Sequence, residues 1–258
     1  MILDEARRYR ATSPNQVLEL AGLAREVAQR SRSKLGQGVQ EAMVVEARAE
    51  AANAARILGR FVDARTSLEE LGGKQADEPY LEAKVLRFRA NCLVELGETE
   101  AALLCLKRAR TIYLDLDDSH RVGSVSLTLG WALVKDHQAR DAFPLVEEGL
   151  HLVDSSYEQH LPVVAGITLA AALEILGDPE QGLDFLSVLA EELESRPVSS
   201  LNHRVDWRKG LLLRRLGRTR EAATLLSEVV MGFTKLGWQW PASMAASDLA
   251  KTVRDLPS

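Results

Sequence analysis

The chain has 258 residues, of which 46% are hydrophobic but only 5% aromatic, and it carries a net charge of −5. Seventeen glycines and eight prolines are too few for the many turns of a sandwich or barrel. Charges of both signs, 27% of residues, disfavour a generally basic nucleic-acid binder and a disordered polyelectrolyte alike. Two cysteines cannot build a disulfide framework, which fits a reducing, cytoplasmic setting. Residues 1–10 carry charge throughout and give no secretory signal, and no apolar run is long enough to cross a bilayer.

In chain order, residues 1–12 are expected to fray, and Ser13-Pro14 opens a helix that runs to Arg32. Its apolar side is Val17, Leu18, Leu20, Ala21, Leu23, Ala24 and Val27, and its partner helix begins after Gly36-Gln37-Gly38. Together, residues 1–38 read as an N-terminal cap. A repeat follows over residues 39–236. Its turn residues Gly97, His137, Gly177 and Gly217 are evenly spaced along the chain, and Gly59 precedes them at a slightly shorter interval. Every copy carries a small residue before the turn (Ala52, Ala90, Gly130, Ala170, Gly210). Another stands five positions after it (Ala64, Ala102, Ala142, Gly182, Ala222), and a large apolar one four further on (Leu68, Leu106, Val146, Leu186, Leu226). Small residues at matched places let two helices approach closely, and the large one fills the space above them. Each copy is therefore a helix hairpin ended by a left-handed cap, for which glycine alone has no steric cost. Pro144 falls inside the second helix of its copy, where a kink or a late helix start is expected. Residues 72–79 and 195–200 are the expected flexible joints. Residues 237–258 form a C-terminal cap, in which Trp238 and Trp240 seal the core and Pro241 opens a helix with Met244, Ala245, Leu249 and Val253 inward.

The pattern resembles the tetratricopeptide repeat, with Leu129-Gly130 matching that family's Leu-Gly pair, over residues 45–236. Its departures are a period longer than the family's of about 34 residues, a missing closing proline, and His137 in place of a glycine. The resemblance implies an all-α, right-handed solenoid of five hairpins with capping helices at both ends, treated as one domain over residues 1–258. Such lengthened repeats are similar to those in arms of large bacterial regulators, and the excess of arginine over lysine points the same way.

No catalytic constellation stands out. There is no Gly-Lys-Ser/Thr loop, and the five histidines are scattered with no metal-ligand spacing. Cys92 and Cys105 read as core thiols, and neighbouring carboxylates such as Glu147-Glu148 point apart on a helix. No enzyme, metal or cofactor is expected.

Binding is expected on the first helix of each hairpin, the concave side of a solenoid. Reading along that face gives Asn53, Asn91, Trp131, Ala171 and Leu211, with Ala49, Arg87, Leu127, Ile167 and Trp207 one turn earlier. One turn later come Arg56, Glu95, Lys135, Glu174 and Arg214. A side-chain amide both donates and accepts, so Asn53 and Asn91 suit the backbone of an extended peptide. The family resemblance implies that role for them, with Lys84 and Arg87 as part of a carboxylate clamp. A basic stripe, Arg204, Arg208, Lys209, Arg214, Arg215, Arg218 and Arg220, surrounds Trp207 and suits an acidic segment of a partner protein. The expected function is a protein-interaction module, with a regulatory or sensor subunit of a bacterial transcription, peptidase or defence complex as the alternative. Self-association is a further use of such a surface; nucleic acid and membrane are not expected partners.

Overall fold

The structure, a computed structural model, describes residues 2–9, 13–31, 36–72, 78–156, 158–194 and 199–256. Among the described residues there are thirteen helices and no strand. In chain order they are α1 (Ile2–Arg8), α2 (Pro14–Arg30), α3 (Gln37–Ile57), α4 (Phe61–Glu69), α5 (Pro79–Glu95), α6 (Thr99–Asp115) and α7 (Ser119–Lys135). Then come α8 (Ala139–Leu152), α9 (His160–Leu176), α10 (Pro179–Glu194), α11 (Ser200–Arg215), α12 (Thr219–Lys235) and α13 (Gln239–Arg254). The chain divides into two compact units, Met1–Thr128 and Leu129–Ser258, with the border inside α7.

Each unit is a stack of helix hairpins, so the fold is an all-α solenoid. In the first, α3 packs on α4 and α5 on α6, and α3 also touches α5. In the second, α9 packs on α10 and α11 on α12, while α9 touches α11 and α11 touches α13. First helices of successive hairpins thus lie side by side. All the small and large positions that define the repeat are buried. A side chain on Gly130 would put its Cβ 2.6 Å from Val146, and one on Gly210 would stand 2.8 Å from Leu226. The missing side chain of one helix is the space filled by the large residue of the next. The core of the first unit runs through Val45, Ala52, Ala64, Leu68, Leu81 and Phe88, joining one hairpin to the next.

The turns show a shorter period than the sequence does. Positive φ occurs at Gly59, Gly97, Asp117, His137, Gly177, Gly217 and Gly237, so that the five turns within hairpins and two turns that follow a hairpin, at Asp117 and Gly237, are alike. After each, the next N–H bonds the carbonyl five positions back, as in Glu98 to Leu93 (2.9 Å), Asp118 to Tyr113 (3.0 Å) and Trp238 to Phe233 (2.9 Å). This is the Schellman closure, which satisfies carbonyls that a helix end would otherwise strand. In the last of them the Trp238 ring stacks on Phe233, the apolar contact that accompanies the motif. Asp117 and His137 hold a conformation that costs a residue with a Cβ about 1 kcal/mol. Asp117→Gly and His137→Gly are each expected to raise stability by roughly that amount, read as a higher urea midpoint at unchanged m-value.

Several expectations need correction. Residues 2–8 form α1, held by Ala6 packed with Val17 and Ala54, rather than fraying. On α2, Leu23 and Val27 are exposed and Ala28 is buried, because the buried stripe is Val17, Ala21, Ala24 and Ala28 at strict helical spacing. The partner helix α3 begins at Gln37, inside the Gly36-Gln37-Gly38 segment. The helix α8 starts on time at Ala139 and continues through Pro144. Pro144 and Arg140 are both exposed, so water can serve the carbonyl that the proline leaves without its donor. On α13, Met244 and Val253 are exposed; the buried side is Pro241, Ala242, Ala245 and Thr252. Most of the two expected joints, residues 73–77 and 195–198, lies outside the described residues, as do 10–12 and 257–258.

Candidate functional site

In the first unit, the expected contact residues divide into bonded and open ones. Lys84 is buried on α5 and reaches back to α3, where its ammonium lies 2.7 Å from both Glu46 and the fully buried Glu50. Arg87, also buried, donates to the Ser124 hydroxyl of α7 at 2.8 Å. Asn53 is buried, and its carbonyl accepts from Arg56 at 3.1 Å. Lys84 and Arg87 tie neighbouring helices together and Asn53 is held within α3, so none of the three lies open, which corrects the picture of a polar clamp facing solvent. Ala49 and Leu127, expected on the same face, are buried as well. Asn91, one hairpin on from Asn53, is half-buried, and no described residue takes up its amide.

In the second unit, Trp131 is half-buried, and the exposed Lys135 places its ammonium 5.7 Å from that ring. Helix α11 is bonded on both sides. Arg208 pairs with Glu174 of α9 at 2.6 Å, while Arg214 pairs with Asp255 at 2.8 Å and Trp207 donates its indole N–H to Asp248 at 3.1 Å. Burial lowers the Arg208 guanidinium from its ordinary pKa, with Glu174 acting against it. Arg204 lies over the Trp238 ring at 5.6 Å, and Arg218 makes two hydrogen bonds to Glu221. Lys209, Arg215 and Arg220 have no carboxylate partner among the described residues. Three of the seven cations of the basic stripe are thus paired with carboxylates of the chain, so its open charge is smaller than the sequence implies. As expected, Trp238 is buried; Trp240 is half-buried.

The acceptors Glu46, Glu50, Ser124, Asp248 and Asp255 were missed from sequence. Opposite charges separated by about one repeat, such as Glu46 and Lys84 or Arg214 and Asp255, are the signal that could have found them.

Among the described residues, no group of His, Cys, Asp and Glu is placed to hold a metal ion, and no helix is long and apolar enough to cross a membrane. Both cysteines are free; burial pushes the Cys92 thiol up to about 11 and raises Cys105 as well, which removes nucleophilic thiolate at neutral pH. His203 packs its ring on Gly232 and edge-on to Phe233, and burial lowers its pKa.

No protein-family model and no curated protein matches the chain. Among solved structures, a kinesin light chain protein of Podosopora anserina with nearly identical TPR-like repeats is similar at 19% identity and a TM-score of 0.50. That match covers 76% of this chain and 96% of the other. BtubC (BKLC) from P. vanneervenii is similar at 15% identity and a TM-score of 0.43, covering 96% and 95%. The first likeness shows that the fold is that of TPR-like repeats.

Proposed function

We propose that the chain is a non-enzymatic protein-interaction module that receives a peptide or partner segment on the open side of its first helices. It acts in a reducing compartment, where Cys92 and Cys105 remain thiols. The observation that carries this reading is Asn91, a half-buried amide that no described residue takes up, on a face where Asn53, Lys84 and Arg87 are bonded. An amide held in that setting can meet both the N–H and the C=O of an incoming backbone. The residues first read as one binding set then have two roles. Lys84, Arg87, Trp207, Arg208 and Arg214 hold adjacent helices in place, and Arg56 holds the Asn53 amide within α3. Asn91 in the first unit, and Trp131, Lys135 and Arg215 in the second, are the contact residues, while Arg204 is held over the Trp238 ring. Arg215 with Arg220 would meet acidic residues of the partner. Regulation adds a change of state on binding, which a partner-dependent shift in scattering radius would reveal.

The test is affinity capture from the native lysate, followed by titration of whatever protein the wild-type chain retains. Asn91→Ala is expected to weaken that binding about tenfold at an unchanged melting temperature. Asn53→Ala should instead lower stability by about 1 kcal/mol through loss of the Arg56 contact. Equal binding by wild type and Asn91→Ala sinks the assignment of the face.

A further inference from the structure

We propose that the exposed face of α10, with the cavity beside it, docks a cationic amphipathic helix from a different protein. This face belongs to a second helix and is separate from the first-helix rows, so the two surfaces can be occupied independently. Gln181, Asp184, Phe185, Val188, Glu191 and Glu192 recur at three- and four-residue steps and are all exposed, which makes them one stripe of α10. At its centre are two large apolar side chains in water, Phe185 at 42% exposure and Val188 at 58%. The stripe runs into a cavity of about 200 Å³, walled by the apolar Pro162, Val163, Leu189 and Leu193 and by the polar Ser155, Ser156, Gln159 and Glu192. That volume accepts one aliphatic side chain. An apolar stripe along a helix, ending in a socket, is the shape that takes the apolar face of another helix.

The charge around the stripe selects the occupant. Residues 141–194 contain twelve of the chain's carboxylates and none of its 32 lysines and arginines. Asp184 and Glu191 stand beside the apolar pair, and the next cation along the chain, Arg196, follows five residues after Glu191. A neutral or acidic helix would bury them without compensation, whereas lysines flanking an apolar face would pair with them at the rim. A second copy of this chain fits poorly, because Arg208, Arg214 and Arg218 of its basic stripe are already bonded to Glu174, Asp255 and Glu221, and the remaining Lys209, Arg215 and Arg220 are divided between α11 and α12 rather than flanking one apolar helix face.

The experiment is a fluorescence-anisotropy titration of the full chain with a labelled helical peptide of roughly 14 residues, leucine on one face and lysine on the other. The same peptide with glutamate for lysine is the counter-probe. Binding of the lysine peptide alone is expected, and Asp184→Lys/Glu191→Lys and Val188→Asp should each weaken it by about tenfold or more. Glu100→Lys/Asp115→Lys, which changes exposed acids of the first unit by the same charge, should leave it within about twofold, with circular dichroism reporting that each variant is folded. Absence of binding, equal binding of the glutamate peptide, or equal weakening by the control pair overturns the proposal. So does a concentration-dependent dimer of the unliganded chain that Asp184→Lys/Glu191→Lys dissolves, since a second copy would then be the occupant.

Discussion

Lys84→Met is expected to destabilise the first unit by about 3–5 kcal/mol, seen as a lower urea midpoint and melting temperature. The side chain is 3% exposed, and its ammonium lies 2.7 Å from Glu50, which is completely buried. Methionine fills similar volume, so the loss measures the charge left behind rather than a cavity. Glu46, the second carboxylate on Lys84, is partly exposed and can turn to water; Glu50 cannot. The double variant Lys84→Met/Glu50→Leu should therefore regain most of the lost stability, since apolar replacements of a buried pair are close to neutral. If the double variant is no better than the single one, the cost lies in packing and not in charge.

Gly182→Leu is expected to cost the second unit about 3 kcal/mol. Its Cβ would stand 3.1 Å from the backbone oxygen of Ala170 and 3.5 Å from that residue's Cα, and the rest of the side chain would have to enter the same contact. A main chain fixed in a neighbouring helix cannot move aside as a side-chain end can. The comparison is Gly22→Leu in α2, where nothing lies within 4 Å and the gain in helix propensity should stabilise the chain by about 0.5–1 kcal/mol. Denaturant titration of the two variants separates close helix contact from helix propensity, because the second effect acts on both and the first only on Gly182.

The helix hairpins were legible because the repeat writes the same packing problem five times. Ala170, Gly182 and Leu186 recur as one small-small-large set, and coincidence does not repeat at fixed intervals. Less legible was the turn between hairpins at Asp117. Aspartate is a common residue in many settings, whereas glycine at Gly97 and Gly217 announces a left-handed turn. The face of each first helix could also be placed, since helical periodicity assigns direction. What occupies a side chain on that face could not. Whether Lys84 meets solvent or Glu50 depends on the offset between two helices, a quantity that periodicity within one helix does not contain. Asn53 and Asn91 illustrate the limit: equivalent by position, they differ because an arginine one turn on claims the first and none claims the second.

The recurring Schellman turn bears on how a chain of this kind can change length. Asp117 stands midway between Gly97 and His137, so one helix and one turn fill half a repeat, and Gly217 and Gly237 are set apart by the same interval. At the Asp117 and Gly237 turns, a gain or loss of half a repeat would preserve the local connection yet exchange first helices for second ones from that point onward, setting small-residue faces against the wrong neighbours. Only whole repeats keep both the connection and the alternation. The backbone counts in single helices, while the side chains count in pairs, and it is the pair that is copied.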